Sequence, residues 1–284
     1  MRRKALALGL AALVWAGSAQ AALYTDAPPC EDWTRRPLMR LTAFQTGESD
    51  CLLLQCGGEN MMIDGGAASW REKLRDALHD LGVESFRYLL NTHYHDDHIS
   101  GLIWLMRYGF EADEYLHPYG EQALPYSASL RQAVKTAQEA GIPVRQVLHG
   151  EQLLLGEAAV TLYRYEDGPN VNARSVTARV DFGNASLLLT ADIIGTTQRW
   201  YLANLPEIVD VDILKAPHHG ITAVVDEFLE AASPLALLVT NTDQRANVAS
   251  QARKKELPVY YSGKGRVVME TDGQDWYVYQ LAGD

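Results

Sequence analysis

Apolar residues in this chain fall into short runs separated by polar turn signals. Residues 52–54 and 61–63 lie on either side of Gly57-Gly58, the pattern of a β-hairpin. Asp64-Gly65-Gly66 stops the second strand. Over residues 69–81 the spacing turns helical through Trp70, Leu74, Ala77, Leu78 and Leu81, and Gly82 ends the helix. Residues 86–90 read as a buried strand that runs straight into Asn91-Thr92-His93-Tyr94-His95-Asp96-Asp97-His98. A helical pattern resumes over 99–107 and stops at Gly109, and residues 115–116 suggest a further short strand. Ser127 caps a helix over 127–140, which Gly141-Ile142-Pro143 terminates.

The second half repeats this style. Strands are expected over 160–165 and 176–182; Gly183-Asn184 turns the chain, and 186–190 pairs back with Asp192 just beyond it. A helix over 196–204 leads to a strand over 211–216 that ends at Pro217-His218-His219-Gly220. Helices over 225–232 and 244–255 then alternate with strands over 235–240 and 259–261. Residues 267–270 and 276–279 form a closing hairpin around Asp272-Gly273. Hairpins that feed strand–helix alternation in both halves predict an α/β fold, an αββα sandwich of two mixed sheets face to face with helices outside. No Pro/Gly/Ser-rich linker, charge block or internal repeat divides the chain, so residues 22–284 are read as one domain.

Residues 1–21 follow a different pattern. Arg2, Arg3 and Lys4 precede an apolar run over 5–16, and Ala19-Gln20-Ala21 is a small-x-small cleavage signal. This is the layout of a cleaved bacterial export signal, placing the mature protein in the periplasm or outside the cell. The run falls short of the ~20 residues that span a bilayer, so no membrane anchor is expected after cleavage. Cleavage would deepen the net charge from −11 to −14, which disfavours broad electrostatic capture of nucleic acid. An oxidising compartment permits one disulfide among Cys30, Cys51 and Cys56. Cys51 and Cys56 flank a strand-like run, so a bridge would join Cys30 to one of them; three buried free thiols are the alternative.

The candidate chemistry is concentrated at His93, His95, Asp97 and His98, between a buried strand and a helix. In an extended segment residues two apart point the same way, so His93 and His95 can aim at one metal ion. The turn into the helix throws Asp97 and His98 to a neighbouring point, which suits a second ion. Imidazole nitrogen and carboxylate oxygen suit zinc, and also manganese or iron. Without a cation the clustered aspartates would repel one another and, if buried, carry a desolvation cost. His79, His117 and His149 lie apart from the cluster and are read as ordinary.

His93-x-His95-x-Asp97-His98 matches the HxHxDH signature of the metallo-β-lactamase superfamily, and the chain resembles that family over about residues 38–280. The resemblance implies that Asp64 braces the metal loop as a hydrogen-bond acceptor, that Asp192 bridges two metals, and that His218 or His219 is the last ligand. Within the superfamily the chain resembles the hydrolase domain of ComEC-type DNA-uptake channel proteins and exported phosphorylcholine esterases. The features are Asn172-x-x-Ser175, Leu188-Leu189-Thr190-Ala191-Asp192, Leu214-Lys215-Ala216-Pro217-His218-His219-Gly220 and Thr271-Asp272-Gly273. One position departs from the wider pattern. Many members place a histidine near residue 172, whereas here Asn172 stands there and no histidine lies between His149 and His218. That implies a looser first metal site, with Asn172 ligating weakly or through water.

The implied activity is hydrolysis with two zinc ions per chain, or manganese or iron, in which a hydroxide held by the metals attacks a phosphodiester or phosphoester. Asp97 and Asp192 would fix the metals and orient that water, and Asp97 and His219 are assigned to catalysis. Adjacent residues on an extended strand end face opposite ways, so one of His218 and His219 is expected to coordinate metal. The other would hydrogen-bond a developing oxyanion or protonate the leaving group. Two other readings compete: hydrolysis of a lactone or β-lactam, and a metal-binding accessory protein without strong catalysis. The expected partner is a small-molecule or ester substrate; DNA is suggested by the resemblance but disfavoured by the acidic surface. Lys215 is either a contact for an anionic substrate or a solvated strand residue, and Trp70, Trp104, Trp200 and Tyr201 are candidates for a pocket wall or for core.

Overall fold

The computed structural model describes residues 21–120 and 127–282; the expected export signal, apart from Ala21, lies outside them. Numbered in chain order, nine strands form one sheet. Across it they run β1 (Leu23–Tyr24), β16 (Trp276–Gln280), β15 (Val267–Thr271), β2 (Met39–Ala43), β3 (Cys51–Cys56), β4 (Glu59–Gly65), β5 (Ser85–Leu90), β6 (Glu111–His117) and β7 (Val144–Gln146). Seven form the other: β14 (Val259–Tyr261), β13 (Ala236–Val239), β12 (Ile213–Lys215), β11 (Ala185–Leu189), β10 (Thr177–Phe182), β9 (Ala158–Tyr163) and β8 (Glu151–Leu155). Both sheets are mixed. In the first, β4 to β7 are parallel and β2 to β4 antiparallel; in the second, β11 to β14 are parallel and β8 to β11 antiparallel.

The inner faces of the two sheets share one core, in which Leu41, Leu54 and Ile63 meet Val160, Val180, Leu187 and Leu238. The outer face of the first sheet is covered by α1 (Arg71–Asp80), α2 (Asp96–Arg107) and α3 (Ala128–Glu139), whose Leu74, Leu102 and Leu130 pack on Leu53, Met62 and Leu89. The second sheet is covered by α4 (Gly195–Asn204), α5 (Asp226–Ala232) and α6 (Val248–Lys254), through Tyr201, Phe228 and Ala252 on Leu188, Leu214 and Leu237. This is the predicted αββα sandwich. Double coverage explains why the central strands read as continuous apolar runs rather than alternating ones. Among the described residues no helix is long and apolar enough to cross a membrane.

Several local expectations need correction. Helix α2 begins at Asp96, so Asp97 and His98 belong to its first turn. Acidic residues at that end are favoured by the helix dipole, which extends the helix beyond the apolar pattern. Helix α6 spans only Val248–Lys254 of the expected 244–255, and β1, β2, β7 and β8 were not evident in the pattern. The disulfide does not form: Cys30 is half-buried in an irregular segment, Cys51 and Cys56 are buried at opposite ends of β3, and all three are free thiols.

One close backbone contact fixes the first sheet relative to α2. A Cβ on Gly101 would lie 1.8 Å from the Gly65 carbonyl oxygen, and one on Gly65 would lie 2.3 Å from the Leu102 nitrogen. Only glycine fits on either side, and the Gly101 N–H donates to the Gly66 carbonyl at 2.9 Å. Gly101→Ala is expected to cost about 3 kcal/mol of folding stability, the upper part of the range for an overpacked interior site. Urea denaturation measures it; an unchanged midpoint would show that α2 can lift off β4 freely.

Candidate metal centre

The loop that joins β5 to α2 is held from below by Asp64, the penultimate residue of β4. Its carboxylate accepts hydrogen bonds from the Thr92 N–H (2.8 Å), the Thr92 hydroxyl (2.6 Å), the Asn91 amide (3.3 Å) and His98 Nδ1 (2.7 Å). Asn91 also donates to the His93 carbonyl at 2.5 Å. The Val176 N–H donates to the Thr92 carbonyl at 3.1 Å, which ties the second half of the chain to this loop. With its Nδ1 proton on Asp64, His98 presents the lone pair of Nε2 to the interior.

Asp192 enters from the second sheet, three residues beyond the end of β11. Its oxygens face two groups of side chains. Oδ1 lies 3.3 Å from His98 Nε2 and 3.4 Å from His219 Nε2; Asp97 Oδ2 joins this group at 3.7 Å and 3.3 Å from the same two nitrogens. Oδ2 lies 3.7 Å from His93 Nε2 and 3.6 Å from His218 Nε2. His95 Nδ1 is 3.1 Å from His93 Nε2, and Asn172 Nδ2 is 3.4 Å from His218 Nε2. All nine residues singled out in the sequence therefore belong to one assembly. Asp97, His98 and His219 gather on one side of Asp192; His93, His95 and His218, with Asn172 behind, gather on the other.

The two adjacent histidines do not lie on an extended strand end. They follow Pro217 in a tight turn in which His218 and His219 have φ of 50° and 53°. Two successive left-handed residues swing both imidazoles toward Asp192 from different sides, which alternation along a strand would not do.

Three buried atoms at the centre, His98 Nε2, His219 Nε2 and Asp192 Oδ1, have no hydrogen-bond partner. They are all acceptors when the imidazoles are neutral, and Asp192 Oδ1 lies 3.3 Å and 3.4 Å from the two nitrogens. Buried acceptors that converge in this way are stabilised when a cation lies between them. The donor set of imidazole nitrogen and carboxylate oxygen suits a divalent transition metal.

Sequence reasoning missed Asp50 and Thr240 and misread Lys215. Asp50, just before β3, accepts from His219 Nδ1 (3.1 Å) and the Thr240 hydroxyl (2.6 Å), and its second oxygen lies 2.6 Å from Lys215 Nζ. Lys215 is fully buried, so it is neither a substrate contact nor a solvated strand residue. A signal was present: one Lys inside Ile213-Leu214-Lys215-Ala216 and one Asp bordering Cys51-Leu52-Leu53-Leu54 are opposite charges stranded in apolar runs. The aromatic candidates pack elsewhere. Trp104 lies under the Arg71 and Arg107 guanidinium groups at 4.8 and 5.0 Å, Trp200 stacks on Tyr165 at 4.9 Å, Lys73 lies over Trp70, and Tyr201 is buried in the outer core.

The metallo-β-lactamase superfamily model matches residues 45–239. Among solved structures, the chain is similar to the metallo-β-lactamase fold protein YhfI from Bacillus subtilis, with a TM-score of 0.54 and 14% identity over 79% of this chain and 96% of that one. It is also similar to CmlA, a diiron β-hydroxylase from Streptomyces venezuelae, with a TM-score of 0.55 and 17% identity over 82% of this chain. That match spans about half of CmlA, 54% of its chain. At these identities the likeness is one of fold. No curated protein matches the chain in sequence.

The electrostatics of the metal-free centre follow from its geometry. Burial opposes charge on His219, but Asp192 and Asp50 together outweigh it and push the imidazolium pKa up to about 10. Burial likewise opposes charge on His98, and Asp192 and Asp64 hold it well above the ordinary value. His93, desolvated and next to His98, is held well below it. Desolvation resists ionisation of Asp192, yet His98 and His219 keep its carboxyl well below the usual range. In metal-free protein two protons thus occupy the place of a cation. The stabilisation from protonated His219 is complete below pH 6.5 and is lost as pH rises toward about 10. The thermal midpoint of chelated protein should therefore fall across that window, and added zinc should flatten the profile because metal replaces the protons. Differential scanning calorimetry at several pH values checks this; a flat profile without metal would contradict the proton-filled centre.

Proposed function

Since the chain belongs to the metallo-β-lactamase superfamily, we propose that it is a metal-dependent hydrolase that binds two divalent cations and cleaves a phosphodiester or phosphoester. The observation that carries this reading is the convergence of partnerless buried acceptors around Asp192. Asp97, His98, Asp192 and His219 would hold one cation. His93, His95 and Asp192 would hold the other, with His218 supplying a nitrogen on the side where Asn172 offers only an amide. Zinc is the proposed metal, and manganese or iron would fit the same donors. When bound, such a pair supplies Lewis-acid polarisation of the ester and lowers the pKa of water toward neutrality.

The protein's own contribution is orientation. Asp64 and Asp50 take the Nδ1 protons of His98 and His219, so both rings present Nε2 to the centre. Asp192 turns one oxygen to each group and sets their spacing. His218, with 28% of its side chain exposed, and half-buried His95 leave their side of the centre open to solvent and to a substrate. Charge supports an anionic substrate. Lys215 neutralises Asp50, so two dications, when bound, would outweigh Asp64, Asp97 and Asp192 and make the centre locally positive within an acidic protein. The run from Leu214 to Gly220 and the likeness to ComEC-type hydrolase domains and exported phosphorylcholine esterases support a phosphoester substrate over a lactone or β-lactam. The basic and apolar start of the chain supports a periplasmic or secreted location.

Elemental analysis of purified protein is expected to give about two metal equivalents per chain. Metal-replete protein should turn over bis-nitrophenyl phosphate faster than a lactone or a chromogenic cephalosporin. Asp192→Asn should lower that turnover by about 100-fold or more, as loss of a central orienting group does. Preference for the lactone or cephalosporin would reassign the substrate, and two bound metals with no turnover of any of the three would make the chain a metal-binding accessory protein.

A further inference from the structure

We infer that Asp50, Lys215 and Thr240 form a buried relay whose work is to aim His219 at one metal position, with Asp50 as a positioning residue and Lys215 as its counter-charge. The inference rests on the two-metal reading above and adds to it three residues that do not touch the cations. Asp50, Lys215, Thr240 and His219 are each 1% exposed or less. Asp50 belongs to the first sheet, just before β3. The other three follow or end β12 and β13 in the second.

Asp50 groups with His98, Asp192 and His219 closely enough to be taken for a metal ligand. Its oxygens are already engaged. Oδ1 accepts from the Thr240 hydroxyl at 2.6 Å and from His219 Nδ1 at 3.1 Å, and Oδ2 is paired with Lys215 Nζ at 2.6 Å. His98 Nδ1 lies 4.0 Å from Asp50 Oδ2 and is taken by Asp64 instead. Asp50 therefore stands behind His219 as Asp64 stands behind His98, and each fixes a ring through its Nδ1 proton.

The two braces differ in their charge. Asp50 has a buried ammonium at its back, and that ammonium has a second task. Lys215 Nζ donates to the Ala191 carbonyl at 2.9 Å, and Ala191 is a non-glycine residue at φ 47° immediately before Asp192. The His218 N–H donates to the same carbonyl at 2.9 Å. One lysine thus couples the left-handed turn that delivers Asp192 to the aspartate that orients His219. An ionised carboxylate in this interior would carry a large desolvation cost without it. A plain structural salt bridge would need neither the Nδ1 contact nor the Ala191 contact.

Removing one charge alone would strand the other, so paired substitutions carry the test. Asp50→Leu with Lys215→Met removes both charges and the carboxylate that accepts from His219, leaving only the Thr240 hydroxyl 3.1 Å from His219 Nδ1. Asp50→Asn with Lys215→Met removes both charges but leaves an amide oxygen to accept from His219. Cobalt(II) titration, followed by the visible absorption of the bound metal, reads the two sites separately. The leucine pair is expected to keep a wild-type thermal midpoint and one unchanged cobalt affinity, while the other affinity weakens 10–100-fold. The asparagine pair should recover most of that loss. Should the leucine pair fail to fold, Thr240→Val takes its place, with a several-fold weakening of one cobalt equivalent expected. Two wild-type affinities in whichever of the leucine pair or Thr240→Val folds would overturn the relay and leave the two-metal reading intact. A wild-type protein that binds no cobalt would overturn both.

Discussion

A buried carboxylate that faces four imidazoles sets the terms for the rest of this structure. Asp192 cannot satisfy them by hydrogen bonding, because the rings of His98 and His219 already give their Nδ1 protons to other aspartates. What remains at the centre is a set of lone pairs with nothing to accept from. A cation resolves the conflict, whether as two protons in the metal-free state or as metal ions in the loaded one. The surrounding side chains follow from that demand: Asp64 and Asp50 hold tautomers, Lys215 balances the second of them, and Asn91 and Thr92 pin the loop.

Holding so many like atoms together requires backbone that a relaxed chain would avoid. Of the six non-glycine residues with positive φ among the described residues, four belong to this centre: Asp64, Ala191, His218 and His219. Each such residue costs about 1–3 kcal/mol and persists only where its surroundings over-determine it. The Ala191 carbonyl, clasped by both Lys215 and the His218 N–H, shows how that is done. On the first sheet the same rigidity comes from the seating of Gly101 on Gly65, which leaves no slack between the strand that carries Asp64 and the helix that carries Asp97 and His98.

Much of this was legible in the chain because it is local. Strand and helix patterns are written over a few residues, and His93, His95, Asp97 and His98 announce themselves by spacing alone. The parts that were not legible depend on distance. Asp50 meets Lys215 and Thr240 only when the second sheet closes on the first, and nothing near Asp50 in sequence specifies a lysine. His218 and His219 were assigned opposite directions by strand alternation, but a proline-led turn at positive φ replaced the strand. Cys30 and its expected partners show the same limit, since the permitted bridge required a proximity that the fold does not supply.

The location of the centre explains why both sheets are needed. Asp64 and the His93–His98 segment lie at the carboxyl ends of β4 and β5; Asp192, His218, His219 and Thr240 lie beyond the carboxyl ends of β11, β12 and β13. These are parallel stretches of the two sheets, where loops leave the carboxyl edge together and can converge on a ligand. Asp50 reaches the same edge because β3 runs antiparallel to β4 and therefore starts where β4 ends. The antiparallel strands β8 to β10 add core and supply Asn172 only through the turn before β10. Neither sheet holds a full set of donors: His93, His95, Asp97 and His98 come with the first, Asp192, His218 and His219 with the second. A cation bound among them is therefore also a clamp between the sheets. The free energy of binding then counts toward folding, because the site exists only when the two halves are packed.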